Sequence, residues 1–149
     1  MKIIDGNGLI DEIITNELNR SPFERGFLFA AEYSEKSDVI NIKSYLSLDA
    51  FTEYNSVDRL VLSKKFIYAS LKTCKENNQV YFLIHTHPFQ VRNDLEFSPV
   101  DYNFFKNLRD LAEKRMYRSP LVFGVIGQES ARFVGYILDT SKELLELQF

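Results

Sequence analysis

Apolar positions recur at helical spacing over residues 9–19, where Leu9, Ile10, Ile13, Ile14 and Leu18 share one face ended by Ser21-Pro22. Gly6 and Gly8 suit the turn into that helix. The pattern then changes. Gly26 to Tyr33 reads as a buried strand and Val39 to Leu48 as a second, and the polar turn Ser34–Asp38 between them makes a hairpin. Residues 49–58 are polar and punctuated by Asp, Asn and Ser, which predicts a loop. Ser63 caps an expected helix running to about Glu76, with Phe66, Ile67, Ser70, Leu71 and Cys74 on one face and Asn77-Asn78 ending it. An apolar run, Tyr81-Phe-Leu-Ile, leads into His85-Thr86-His87-Pro88. A further helix opens at Ser98-Pro99 and buries Phe104, Phe105, Leu108, Leu111 and Ala112. Leu121–Ile126 and Arg132–Leu138 are expected as strands around the turn 127–130, while residues 141–149 fit a short helix or another strand equally well.

This alternation of strands and helices over 149 residues, with no repeat, linker or low-complexity tract, predicts one α/β (α+β) domain over residues 1–149. Thirteen Phe and eight Tyr supply a core and exclude a disordered chain. The net charge of −3 and the lack of a basic run exclude the electrostatic footprint of a nucleic-acid binder. The single cysteine, Cys74, cannot form an intrachain disulfide and fits a reducing compartment. On its helical face it reads as a small buried hydrophobe and not as a nucleophile. No signal peptide opens the sequence and no apolar run could span a bilayer, so a soluble cytoplasmic protein with no membrane partner is expected.

The candidate chemistry lies with the only two histidines of the chain. In a strand, residues i and i+2 point to one face, so His85 and His87 project side by side, and Pro88 places them where the strand ends. Two imidazoles on one face are two of the three protein ligands that a catalytic zinc site needs. Asp101 is the candidate third, because at 100° per residue it falls within the apolar stripe of the helix that Ser98 opens. Ser98 with an acid three residues on also fits a capping box, which requires no metal. Taken with the histidine pair, the metal reading is preferred.

His85-Thr86-His87-Pro88 followed by Ser98-Pro99-Val100-Asp101 resembles the JAMM motif of the JAB/MPN metalloproteases: His-x-His-Pro, then Ser-x-x-Asp opening a helix. The family's upstream glutamate begins a segment Glu-x-x-Gly-x-Leu-x-Gly, and Glu24-Arg-Gly-Phe-Leu-Phe-Ala-Ala31 aligns with it without a gap. Phe27 and Ala31 replace the family's glycines, and the ten-residue link between His87 and Ser98 is longer than usual there. Glu32 would take the place of Glu24 only if the alignment slipped by eight residues.

The resemblance implies a mixed, mostly antiparallel sheet flanked by helices in a cytidine-deaminase-like layering. It implies Zn²⁺ held by His85, His87 and Asp101, with Glu24 as proton shuttle and Ser98 as oxyanion donor. It further implies hydrolysis after the C-terminal tail of a ubiquitin-like protein or its conjugate, within a bacterial conjugation or anti-phage system that supplies E1/E2-like conjugation enzymes as partners. The alternative is a metal-free MPN-type interaction module without catalysis. Zinc deaminases need a Cys-x-x-Cys pair and zincins need His-Glu-x-x-His on a helix, and neither is present. A Ser-His-Asp triad suits two adjacent histidines less well than a metal does. A hydrogen-bonded histidine couple remains the purely structural option. The link 89–97, with apolar Phe89, Val91, Leu95 and Phe97 and with Arg92, is expected to pack partly on the domain and to form a wall or flap that selects the entering tail.

Overall fold

The computed structural model describes residues 1–88, 95–137 and 143–149. It is a mixed α+β structure built on one seven-stranded sheet. The strands of that sheet are β1 (Lys2–Ile4), β2 (Gly26–Ser34), β3 (Val39–Ser47), β6 (Val80–Thr86), β7 (Leu121–Ile126), β8 (Ala131–Tyr136) and β9 (Leu145–Leu147). Their spatial order is β1-β3-β2-β6-β7-β8-β9. The β1/β3 and β6/β7 pairs are parallel and the others antiparallel. The sheet curls until its outer strands touch: Lys2 bridges Gln148, and the Ile3 N–H donates to the Gln148 carbonyl at 2.8 Å.

Strand alternation divides the molecule into two cores. Val80, Phe82 and Ile84 of β6 face the first helical segment, whose Ile10, Ile13 and Leu18 are fully buried. That segment begins as α1 (Leu9–Glu12), widens into a π-helical turn over Ile13–Glu17 and ends in a 3₁₀ turn over Leu18–Arg20. The Asp5 carboxylate accepts from the Leu9 and Ile10 amides at 2.9 and 2.8 Å, and Gly8 takes the left-handed turn at φ 66°. Tyr81 and Leu83 face the opposite side, against α2 (Lys64–Glu76) and α3 (Pro99–Lys114). There Phe105 of α3 stacks on Phe123 of β7 with ring centroids 4.1 Å apart.

Ser63 caps α2 through its hydroxyl, Asn78 takes the expected left-handed backbone, and Cys74 is buried. The expected loop over 49–58 is corrected. After a 3₁₀ turn at Asp49–Phe51, Thr52–Asn55 forms β4, paired in a separate two-stranded ribbon with β5 (Leu60–Leu62). Strands of four and three residues with a bulge between Thr52 and Tyr54 are too short to show an alternating pattern. β1 escapes notice for the same reason. The open choice over 141–149 resolves as β9 for its described part, and Leu138 lies outside the described residues. Leu95 and Phe97 of the expected flap are buried in the α2/α3 core, while its remainder, 89–94, lies outside the described residues. Among the described residues no helix is long and apolar enough to cross a membrane.

Candidate metal centre

The β6-α3-β7 crossover determines where the chemistry lies. Because β6 and β7 are parallel, α3 must begin near the end of β6, and this brings Asp101 on its first turn to the histidines. His85 has the same strand parity as Tyr81 and Leu83, so it points to the α3 side. Its Nε2 lies 3.0 Å from Nε2 of His87 and 3.4 Å from an Asp101 carboxylate oxygen.

Glu24 arrives by register. Gly26 pairs with His85 across the antiparallel β2/β6 ladder, which sets Glu24, two residues earlier, beside His87. Arg25 and Thr86 extend that ladder: the Arg25 N–H donates to the Thr86 hydroxyl and the Thr86 N–H to the Arg25 carbonyl, both at 2.9 Å. The Glu24 main chain is held from the other side, where its N–H donates to the Ser56 carbonyl at 2.7 Å and its carbonyl accepts from the Asn55 amide at 3.2 Å. The Glu24 carboxylate then lies 3.6 Å from His87 Nε2 and 3.8 Å from His85 Nε2, with the residue only 4% exposed.

One candidate ligand atom from each of Glu24, His85 and His87 therefore lies within 4.8 Å of the other two, a group that could hold a metal ion. Asp101 adjoins it through His85. In a tetrahedral site with metal–nitrogen bonds of about 2.0–2.1 Å, donor atoms stand roughly 3.3 Å apart. The separations of 3.0, 3.6 and 3.8 Å among His85, His87 and Glu24 bracket that spacing, so these three donors fit such an ion, with Asp101 against His85 at 3.4 Å.

The two carboxyls are driven in opposite directions. Burial pushes Glu24 up to about 7, with the charges of Asp101 and Asp58 adding to the rise and His85 opposing it. Burial would raise Asp101 also, but the hydrogen bond and charge of His85, with the Ser98 amide and hydroxyl, overcome it and hold that carboxyl at about 2. One acid thus exchanges a proton near neutrality while the other stays ionised, a division that suits an acid/base group beside a ligand.

The capping box is also present. The Ser98 N–H donates to Asp101 at 2.8 Å and the Asp101 N–H to the Ser98 hydroxyl at 3.1 Å. Capping and proximity to His85 are compatible, because the same carboxylate oxygen serves both. Glu32 is set aside: it is exposed and pairs with Asn41, and its neighbour Ala31 pairs with Val80, at the far end of β6 from His85. Phe27 and Ala31, which stand where the motif has glycines, point into the α1-side core and away from the cluster.

Arg25 was not singled out from the sequence, where a cation leading into an apolar run is its only signal. Its buried guanidinium grips Asp49 through two nitrogens at 3.1 and 2.8 Å and Glu17 at 3.0 Å, and it lies over the Phe27 ring. It ties the end of the first helical segment and the β3–β4 connection to the residue between Glu24 and Gly26. Arg25→Met is expected to lose about 2–3 kcal/mol in urea unfolding, the range of charged hydrogen bonds left unpaired. Asp49→Asn should cost less, because the Asp49 side chain is 58% exposed. Arg25→Lys should restore little, since an ammonium cannot form the planar fork.

A cleft of about 250 Å³ opens beside the cluster, with Glu24, His85 and Asp101 in its lining and β5 and α3 as its walls. No family model and no curated protein matches the sequence. Among solved structures, the chain is similar to the solution structure of protein DSY2949 from Desulfitobacterium hafniense. That similarity has a TM-score of 0.61 at 14% identity and covers 98% of this chain and 90% of the other, a likeness of fold alone.

Proposed function

We propose that this chain is a zinc-dependent metallo-isopeptidase or peptidase of the JAB/MPN type, cleaving the bond after the C-terminal tail of a ubiquitin-like protein in the cytoplasm. One observation carries the reading. The start of β2 and the end of β6, far apart in sequence, deliver two imidazoles and the Glu24 carboxylate to one buried point at donor spacings, and the first turn of α3 sets the Asp101 carboxylate against His85. The Ser98-x-x-Asp101 helix start and the His-x-His-Pro strand end supply the further support of motif likeness.

In this reading His85, His87 and Asp101 hold the ion. When bound, zinc supplies Lewis acidity to water and to the scissile carbonyl. Glu24 takes the proton of the attacking water and passes it to the leaving amine. The Ser98 O–H donates to the developing oxyanion. Arg25, Asn55 and Ser56 keep the Glu24 main chain in place, so that its carboxylate need not reorganise during the reaction.

A second assignment of the same site has its own observation. Glu24, not Asp101, completes the closest three-residue group with the histidines, so Glu24 could be the third ligand and Asp101 the proton carrier. The likeness of Ser98-Pro99-Val100-Asp101 to the motif's Ser-x-x-Asp favours the first assignment. A metal-free interaction module is disfavoured by the close grouping of Glu24, His85 and His87 with Asp101 against His85.

The function is tested by incubating zinc-loaded protein with a ubiquitin-like protein fused to a linear peptide and with the same protein joined to a lysine side chain. Mass spectrometry should show a single cut after the tail in at least one of them, abolished by a chelator and restored by zinc. Intact substrates under full zinc occupancy would contradict it.

A further inference from the structure

The cleft beside the cluster has a composition that defines what it accepts. Its floor and walls include Leu60, Leu62, Ile67, Leu83, Phe104 and Phe123, an aliphatic and aromatic lining that desolvates whatever side chain enters. At about 250 Å³ it holds one large side chain and its neighbours' backbone, not a bulky cofactor. The carboxylates in its lining, Glu24 and Asp101, both belong to the histidine cluster. A lysine or arginine placed on the apolar floor would therefore lose its hydration without a free acid to receive it.

The rim has the opposite character. Arg59 stands immediately before β5 and Lys64 immediately after Ser63 at its other end, and both line the cleft and are exposed. Among the described residues neither forms an ion pair. Asp58, next to Arg59, accepts from the Ser56 hydroxyl at 2.9 Å and keeps its charge, which reaches Glu24, so the two cations are opposed by one acid. At about 3.3 Å per residue of extended chain, a segment laid alongside β5 passes both cations within a few residues of the cluster.

We propose that the site acts on a polypeptide tail carrying a large apolar residue, of the leucine or phenylalanine class, within a few positions of the bond cleaved and acidic residues flanking it. The assignment rests on the hydrolytic reading of the cluster but concerns a different set of residues. A tail with no large apolar residue near the bond would leave the apolar floor unfilled, and basic flanks would meet Arg59 and Lys64. Exposed Val100, on the second residue of α3, forms part of the mouth and offers a way to narrow it without disturbing the core.

The test uses the zinc-loaded full chain and short fluorescein-labelled peptides of one Ser/Ala framework. They carry central Leu, Phe, Gly or Arg flanked by Glu or Lys. Fluorescence anisotropy reads binding and mass spectrometry reads cleavage in parallel. The Leu and Phe peptides with Glu flanks should bind at least about tenfold tighter than their Gly or Arg counterparts. They should also bind about two- to fivefold tighter than Lys-flanked versions at low salt. The double variant R59E/K64E should reverse the flank preference and keep the central one. V100W should weaken Leu and Phe binding while retaining zinc. Equal or tighter binding of Gly or Arg peptides, an unchanged flank preference in R59E/K64E, or no peptide binding at full zinc occupancy would each overturn the proposal. The expected binding preference without cleavage would support it while removing the hydrolase reading. Cleavage without preference would do the reverse.

Discussion

Glu24→Gln is expected to reduce hydrolysis by about 10²- to 10⁴-fold, the span of a lost general acid/base, while zinc content and fold are unchanged. The amide matches the carboxylate in size but cannot take up a proton. The bonds that hold this residue involve its main chain and survive the substitution: N–H to Ser56, carbonyl to Asn55, and the ladder through Arg25 and Thr86. Turnover of a short peptide by the zinc-loaded variant, set against metal content by mass spectrometry, measures both quantities. Loss of zinc together with activity would make Glu24 a ligand and hand the proton to Asp101. Normal turnover would remove Glu24 from the chemistry altogether. Glu32→Gln serves as the control and should change neither quantity, since Glu32 is exposed and paired with Asn41 away from the cluster.

Gly124→Ala is expected to cost about 3 kcal/mol or more of stability, at the upper end of overpacking effects. Gly124 sits in β7 between Ile84 of β6 and Phe133 of β8. A Cβ at this position would meet two Phe133 ring carbons at 2.6 Å and the Ile84 methyl at 2.7 Å. Phe133 is fully buried and in edge contact with Phe82 at 5.4 Å between centroids, so the ring has nowhere to retreat. Ile84 directly precedes His85, and the strain would reach the histidine cluster through the strand. Urea unfolding should show a lowered midpoint, and Phe133→Leu in the same background should recover part of the loss. Full stability of Gly124→Ala would mean that β7 and β8 shift more freely than this packing allows.

The sequence made the β6 end readable because three signals coincide there: a continuous apolar run, a proline stop and the only histidines, spaced two apart. Asp101 was legible as a helix-start acid on a buried stripe, and the structure adds that capping and contact with His85 use one carboxylate oxygen. Glu24 was legible only by motif likeness. What places it is the β2/β6 register, a long-range pairing that no local pattern encodes. Arg25 lay beyond reach for a similar reason, since its partners Glu17 and Asp49 come from segments whose proximity depends on the whole sheet. The short strands β1, β4 and β9 carry too few residues for alternation to show. The polar segment 49–58 looked like a plain loop, yet its Asn55 and Ser56 fasten Glu24. In the long link after His87, the apolar Leu95 and Phe97 turned out to be core residues, with the Phe97 ring 6.1 Å from that of His85.

The most direct measurement of the central claim is the zinc content of the purified chain and of two variants, His85→Ala and Asp101→Asn, by inductively coupled plasma mass spectrometry. The account predicts one zinc per unmodified chain and little in either variant, with circular dichroism showing both variants folded. An unmodified chain that stays free of zinc after dialysis against excess metal, or two variants that both retain it stoichiometrically, would contradict it.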